Sequence, residues 1–236
     1  MERNGNPKFR IGIGDQRMGV PCVPNSVYDR SSCHAPHSNM SSHPEIEIKL
    51  RVDGLRALVD RLLRLGARSL GRVHEQNTLF DTPAGDIRRR GRLLRLRVEA
   101  PAPSRLARAG MAGAWLTSKR PAPPSAPSRY KENLESEMSV SPRIDWVSRF
   151  RSVGFHPGFR YEKFRTRFRL GRLHIDLDQT PVGDFLELEG RPREIDRVAR
   201  ALGYAPSDYI RATYWDLYAA DARRRGKIPR HMLFPR

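Results

Sequence analysis

Cysteine and long apolar runs are both scarce in this chain of 236 residues. Its two cysteines, Cys22 and Cys33, both precede residue 40 without the ligand spacing of a zinc site, so the rest of the chain offers no disulfide and no cysteine nucleophile. No apolar run approaches the roughly 18 residues that span a bilayer, which predicts no membrane partner. The first residues lack a basic segment followed by an apolar stretch, so we expect no secretory signal and a cytoplasmic location.

Acidic residues are also outnumbered. The chain has 44 Lys and Arg against 26 Asp and Glu, which gives a formal net charge of +18. Such an excess is typical of a solvated Arg-rich surface, or of a protein that binds nucleic acid, an acidic membrane or a nucleotide phosphate. Net charge cannot separate these classes, because it does not say where the charges lie.

Composition divides the chain into three parts. Residues 1–42 contain scattered Gly, Pro, Asn and Ser without a sustained period, so we expect a disordered N-terminal segment. Met40 comes just before the first strong strand pattern and is an alternative translation start. Residues 43–220 are the expected folded domain, and residues 221–236 are expected to form a basic, peripheral tail.

From Glu45 onward, charged and apolar residues alternate with a period of two, which predicts strands with one apolar face. The same alternation recurs over 93–98, 114–119, 130–140, 159–170, 173–178 and 185–189, with a short strand at 78–80. Helical patterns follow Asp53 as an expected N-cap, begin at Ser141-Pro142 and at Pro192, and cover about 207–223. This order predicts an α+β fold, an antiparallel barrel or strongly curved sheet with helices packed outside.

Charges of both signs share one face of each strand. In the first strand these are Glu45, Glu47 and Lys49. An ordinary half-buried sheet, with charged residues towards water, is one explanation. However, the helices carry apolar stripes that need an apolar sheet face to cover. We therefore expect the charged faces to point inward and to line a tunnel.

A tunnel with both signs of charge has a chemical use. Lys and Arg can hold the oxygens of a triphosphate, and Arg offers a bidentate fork. Carboxylates in the same cavity suit a hard divalent cation, which prefers oxygen ligands. Such a cation can bridge to the phosphate and neutralise charge that develops during transfer.

The motifs in this order resemble the CYTH domain family of triphosphate tunnel metalloenzymes. Glu45-Ile-Glu-Ile-Lys49 matches the family's ExExK signature, which by itself is a weak signal. Further blocks are similar to the family's in chain order, and the resemblance covers about residues 43–220. These blocks are Asn77–Pro83 with Leu94–Arg97, Lys119, Tyr161–Arg165, Asp176–Asp178, Gly183–Phe185, Leu186–Glu189 and Tyr209–Tyr214.

The resemblance implies a closed eight-stranded antiparallel β-barrel and Mg²⁺ or Mn²⁺ as cofactor. It implies that the triphosphate is gripped by Lys49, Arg95, Arg97, Lys119, Lys163 and Arg165. It implies metal binding or positioning of the attacking group by Glu45, Glu47, Asp178, Glu187 and Glu189. Glu45, Glu47 and Lys49 of the signature are the catalytic candidates. The roles of Glu135, Glu137 and Asp176 stay open, and Arg167 and Arg169 are expected at the rim.

The family includes thiamine triphosphatases, inorganic triphosphatases and class IV adenylate cyclases. The resemblance therefore implies an enzyme that hydrolyses a small-molecule triphosphate. The alternatives are a cyclase that makes cyclic AMP and pyrophosphate from ATP, and a module that binds polyphosphate or nucleotide without turnover. Acids on the same faces as the bases argue against a nucleic-acid partner. Asn77 and Leu79 depart from the family pattern, so the substrate stays open, as does the choice between monomer and homodimer.

Overall fold

Eight antiparallel strands close into a barrel in a computed structural model that describes residues 42–105, 107–123 and 128–235. The strand order around the barrel is β1-β5-β4-β3-β2-β6-β7-β8. The strands are β1 His43–Val52, β2 Arg68–Asp81, β3 Leu93–Pro101, β4 Gly113–Pro121, β5 Lys131–Ser139, β6 His156–Leu170, β7 Leu173–Thr180 and β8 Gly183–Glu189. The expected closed barrel is confirmed. The expectations for residues 1–41, including the start at Met40, lie outside the described residues.

Within the described residues, five α-helices pack outside this barrel: α1 Leu55–Arg64, α2 Asp86–Arg89, α3 Trp146–Ser152, α4 Pro192–Ala201 and α5 Tyr214–Arg224. A short 3₁₀ helix covers Pro206–Asp208. None of these helices is long and apolar enough to cross a membrane. Pro192 begins α4 as predicted, since a proline in the first turn loses no helical hydrogen bond.

The first strand shows why the barrel closes with its charges inside. Ile48 and Leu50 are almost fully buried and share one hydrophobic core with Leu62 of α1 and Val198 of α4. The alternate residues of β1 therefore face the barrel interior, where they line a cavity. The apolar stripes of the helices thus cover the apolar faces of the strands, and the charged faces point inward, as the sequence predicted.

Three predicted helix starts were wrong. The N-cap of α1 is Gly54 in the left-handed region (φ 82°), without a side-chain cap, so Asp53 does not cap it. Helix α3 begins only at Trp146, because Asp145 accepts a hydrogen bond from the Ser148 backbone N–H at 3.0 Å. Helix α5 begins at Tyr214, where Thr213 and Asp216 cap each other reciprocally.

Strand β2 differs most from its prediction. It runs over 14 residues, whereas the sequence predicted a strand at 78–80 only. Its register with β6 shifts between Ser69 and Gly71, where Gly71 has φ 114°. A Cβ at Gly71 would lie 2.8 Å from the Cα of Gly110, so this close approach requires glycine. The bulge interrupts the period of two and hides the strand in the sequence.

The C-terminal segment is part of the fold and not a peripheral tail. The Met232 backbone N–H donates to the Arg160 carbonyl at 3.0 Å, and the Glu162 N–H donates to the Met232 carbonyl at 2.9 Å. The Met232 side chain is fully buried and packs with Phe185 and Tyr214. The pairing of β6 with β7 begins only at Phe164. The segment therefore adds backbone hydrogen bonds to the part of β6 that β7 leaves uncovered.

Met232→Ala is expected to lower the free energy of unfolding by about 2–4 kcal/mol, because it leaves a cavity in a packed apolar cluster. Urea denaturation followed by circular dichroism measures this. Ile228→Ala is the matched control, since Ile228 is 80% exposed in the same segment and its replacement should change little. Equal, small effects of both substitutions would show that the segment does not contribute to stability.

Candidate functional site

The barrel encloses a cavity of about 1110 Å³, and each of the eight strands contributes side chains to its wall. Nearly all residues that the sequence singled out line this one cavity. They are Glu45, Glu47, Lys49, Arg95, Arg97, Lys119, Lys163, Arg165, Glu187 and Glu189, together with Glu135, Glu137 and Asp176. Asp178 is fully buried and reaches the cavity only through the side chains that it binds.

Arg165 on β6 is the most heavily paired cation of the wall. Its guanidinium donates to both oxygens of Asp178, from Nε at 2.7 Å and from Nη2 at 2.6 Å. It also pairs with Asp176 at 2.6 Å and with Glu187. Burial lowers the pKa of Arg165, but these carboxylates outweigh burial and hold that pKa well above its ordinary value. Lys163 donates to Asp178 at 2.8 Å, so both basic residues of the Tyr161–Arg165 block share one carboxylate.

Across the barrel from β6 and β7, two lysines on β4 and β5 form ion pairs with glutamates. Lys119 on β4 contacts the carboxylates of Glu45 at 2.6 Å and Glu135 at 2.7 Å. Lys131 on β5 donates to Glu47 at 2.6 Å. Burial lowers the pKa of Lys119, but the neighbouring glutamates raise it above its usual value. Both lysines are therefore held against the wall of the cavity by carboxylates.

Arg95 on β3 is held differently from the other cations. Its guanidinium donates to the neutral hydroxyls of Thr117 at 3.1 Å and Tyr161 at 3.3 Å, and the nearest carboxylate, Glu137, is 3.7 Å away. Its Nε is buried and has no hydrogen-bond partner within the described parts of the chain. Because no carboxylate saturates it, Arg95 is the least engaged of the six basic residues that the sequence singled out, and it can bind an incoming anion.

Sequence reasoning missed Glu75 on β2. Its carboxylate is fully buried and contacts Lys163 at 3.5 Å, Arg165 at 3.6 Å and Arg167 at 3.0 Å. Burial raises the pKa of Glu75, but these cations outweigh burial and hold it far below its usual range. Glu75 lies two residues before Asn77, a spacing that places both side chains on one face of a strand. That spacing was the available signal, but the bulge in β2 concealed the strand.

Two further features were not foreseen. Arg167, expected at the rim, reaches inward and also pairs with Glu99. Tyr214, the first residue of α5, donates its hydroxyl to Asp178 at 2.6 Å. Its ring centroid lies 4.4 Å from the Lys49 Nζ and 5.0 Å from the Lys163 Nζ, which are cation–π distances. The C-terminal helix thus helps to position two of the cations that line the cavity.

One carboxylate of the cavity is uncommitted. Glu189 forms no ion pair or hydrogen bond with any described side chain. Burial and the nearby Glu45 and Asp176 raise the pKa of Glu189 to about 7. The pKa of Asp176 is raised to about 6, chiefly by burial. Glu45 and Asp176 thus disfavour the charged form of Glu189, and a divalent cation would relieve that repulsion.

The donor set therefore suits Mg²⁺ or Mn²⁺ in chemical type, since it consists of carboxylate oxygens. Within residues 42–105, 107–123 and 128–235, no three His, Cys, Asp or Glu side chains converge closely enough to hold an ion as they stand. The reason is visible in the pairing: Glu45, Glu47, Asp178 and Glu187 are each engaged by a Lys or Arg. Metal binding would require these cations to turn towards another anion.

Comparisons with known proteins agree with this architecture. Residues 43–214 match the CYTH domain family. No curated protein matches the sequence. Among solved structures, a candidate adenylate cyclase of Vibrio parahaemolyticus has 18% identity and a TM-score of 0.61, over 75% of this chain and 98% of that one. A Pyrococcus horikoshii protein has 25% identity and a TM-score of 0.57, over 73% and 98%. A candidate adenylyl cyclase of Hippeastrum, with a dominant triphosphatase activity, has 19% identity and a TM-score of 0.51, over 78% and 97%.

Proposed function

The chain belongs to the CYTH domain family, and we propose that it is a metal-dependent hydrolase of a small-molecule triphosphate bound inside the barrel. One observation carries this proposal: six basic side chains from four strands converge on one cavity. They are Lys49, Arg95, Arg97, Lys119, Lys163 and Arg165. Several cations at close range suit a ligand with several adjacent anionic groups better than a singly charged one.

The ion pairs of the cavity wall prepare it for this ligand. In the structure, carboxylates neutralise most of the cations, so no large uncompensated charge is buried. Phosphate oxygens can replace those carboxylates as acceptors for Lys119, Lys163 and Arg165. The released carboxylates then become available as metal ligands. The two-signed wall therefore suits the joint binding of a polyanion and a cation.

Each group has a role in this proposal. Lys49, the arginines and the other lysines hold and orient the phosphate chain. Glu45, Glu47, Asp178, Glu187 and Glu189 would hold Mg²⁺ or Mn²⁺. When bound, the metal supplies a Lewis acid that neutralises developing charge on phosphate oxygens. Glu45, Glu47 and Lys49 lie on one face of β1, which places both kinds of ligand on a single rigid strand.

An adenylate cyclase is the second candidate, and one observation favours an organic triphosphate as substrate. The cavity wall also includes apolar side chains near the end where β2 leads into β3: Leu79, Leu93, Phe159 and Trp215. Phe159 and Trp215 pack edge to face, with ring centroids 4.8 Å apart. An apolar, aromatic wall suits a planar ring attached to the phosphates.

One assay separates the candidates. Tripolyphosphate, thiamine triphosphate and ATP are each incubated with the protein and Mg²⁺ or Mn²⁺, and phosphate and cyclic AMP are both measured. Phosphate release supports the hydrolase, and cyclic AMP with pyrophosphate supports the cyclase. Tight binding without turnover of any substrate would overturn both and leave a binding module.

Glu187→Gln is expected to raise the Mg²⁺ concentration for half-maximal activity at least about tenfold, because it removes a charged oxygen ligand. Activity titrated against free Mg²⁺ measures this. Glu132→Gln is the matched control, since Glu132 lies on β5 and does not line the cavity. An unchanged Mg²⁺ dependence in Glu187→Gln would remove Glu187 from the metal site.

A further inference from the structure

Barrel closure leaves few acidic residues on the outer surface of the described residues. Many carboxylates point into the cavity or are buried beside it. Among the exposed residues that the structure describes, 28 are Lys or Arg and only six are Asp or Glu. The sequence argued against a nucleic-acid partner because acids share strand faces with bases. Those faces point inward, so that argument does not apply to the outer surface.

The clearest basic feature on the outside is a stripe on α4. Arg193, Arg197 and Arg200 are exposed and follow the spacing i, i+4, i+7, so they lie on one side of the helix over about 10 Å. The opposite side of α4 carries Ile195 and Val198, which are buried against the barrel. The stripe therefore faces solvent along its full length.

No acid of the described residues forms an ion pair with this stripe. Within the described parts of the chain, the side chains of Arg193, Arg197 and Arg200 form no ion pair and no hydrogen bond. Asp196 is one turn from Arg200, but its carboxylate accepts from the hydroxyls of Tyr130 at 2.8 Å and Tyr209 at 2.9 Å. The three guanidinium groups thus keep their full donor capacity for an external anion.

Helix α1 extends this basic surface. The Arg61 Nη1 donates to the Leu202 carbonyl at 3.2 Å, which ties α1 to the C-terminal end of α4. Arg56 and Arg64 of α1 are exposed as well, and Asp60 is the exposed acid of that helix. We call this surface the α1–α4 face, made of Arg61, Arg193, Arg197 and Arg200.

The aromatic and apolar residues that are exposed, or absent from the described surface, indicate which class of anionic macromolecule the α1–α4 face can bind. No Phe, Tyr or Trp is exposed in residues 42–105, 107–123 or 128–235, so the surface offers no platform on which single-stranded bases could stack. A membrane surface would favour a helix with a broad exposed apolar face beside its basic residues. Helix α4 exposes arginines instead, and the large apolar residues exposed on or next to α1 are Leu63 and the C-cap Leu65, so a lipid surface is kept as a competing partner in the test below. Guanidinium groups match phosphate oxygens in bidentate geometry. We propose that the α1–α4 face binds the phosphate backbone of a double-stranded nucleic acid without reading its sequence.

The test compares two triple variants that lose the same charge. Arg193→Gln/Arg197→Gln/Arg200→Gln removes the stripe, and Arg143→Gln/Arg149→Gln/Arg151→Gln removes three exposed arginines on and before α3. Binding of a fluorescein-labelled duplex of about 20 base pairs, long enough to span the face, is followed by anisotropy over a range of salt concentrations. Each lost phosphate contact reduces the slope of log K against log salt by about 0.9, so the stripe variant should lose about 2–3 in slope. Its affinity should fall at least tenfold, and that of the control much less.

Three results would overturn this proposal. They are equal losses in both triple variants, tighter binding to single strands or phosphatidylserine vesicles than to the duplex, and wild-type binding that does not depend on salt. Triphosphate hydrolysis by the stripe variant is measured in parallel and should be unchanged, because the stripe lies outside the barrel. A failure of the nucleic-acid proposal is therefore distinguishable from a failure of the proposed hydrolase.

Discussion

Arg95→Ala is expected to lower kcat/KM for the triphosphate substrate about 10²–10³-fold, the range seen when a preorganised charge-stabilising donor is removed. Arg95 is expected to give the largest effect on activity because neutral hydroxyls, rather than carboxylates, hold its guanidinium. The nearest carboxylate, Glu137, is 3.7 Å away and the Arg95 Nε has no hydrogen-bond partner among the described residues, so the guanidinium can donate to the phosphate. Steady-state kinetics with the best substrate from the assay above measures the loss.

The same geometry predicts that Arg95→Ala leaves stability nearly unchanged. Glu137 keeps its ion pair with Arg97 at 2.8 Å and its hydrogen bond from Thr117 at 2.7 Å, so no buried carboxylate loses its last partner. Arg120→Ala is the control, since Arg120 is exposed on neighbouring β4 and does not line the cavity. Equal kinetics for the two variants would exclude Arg95 from substrate binding.

Glu75→Gln is expected to lower the free energy of unfolding by about 3–5 kcal/mol, the cost of breaking a buried ion-pair network by removing one partner. The substitution keeps the shape of the side chain but removes the charge that neutralises Lys163, Arg165 and Arg167. Urea denaturation at neutral pH measures the change. Glu162→Gln is the control, because Glu162 is only partly buried and pairs with His74 at 3.6 Å.

The pH dependence of stability gives a second measurement on Glu75. Its pKa in the folded protein lies below the usual value of 4.5, so its contribution is fully present above that value. The contribution is lost as the pH falls towards the lower, folded-state pKa. Wild type and Glu75→Gln should therefore differ most at neutral pH and converge in acid. A constant difference at every pH would mean that packing, and not charge, explains the effect.

Most of the barrel was predictable because β1 from Glu45 and β3 from Leu94 alternate strictly between charged and apolar residues, and β6 places a basic residue at every second position from Lys163. That period depends only on backbone geometry, so it can be read before any contact is known. The inward direction of the charged faces was predictable too, since the apolar stripes of α1 and α4 needed an apolar sheet face to cover. The resemblance to the family then implied the basic residues, which the structure brings to one cavity.

The missed features depend on contacts between distant segments. The bulge at Gly71 follows from its close approach to Gly110, which no local pattern contains. Glu75 becomes important only when β6 places three cations beside it. Tyr214 reads as a helix residue until the fold brings its hydroxyl to Asp178, 36 positions earlier in the chain. Local periodicity predicts which face a residue occupies, but not which partner it meets across the barrel.

The position of β1 between β5 and β8 also has a consequence for how the protein folds. The first strand of the barrel pairs with the last, so the barrel can close only after β8 has formed and returned to β1. Contacts between such distant segments carry a large loop-closure entropy, and proteins dominated by them fold slowly, in milliseconds to seconds. Until closure, the ionic faces of the strands remain hydrated. The ion pair of Lys49 with Glu187, which joins β1 to β8, can therefore form only when β8 has returned to β1.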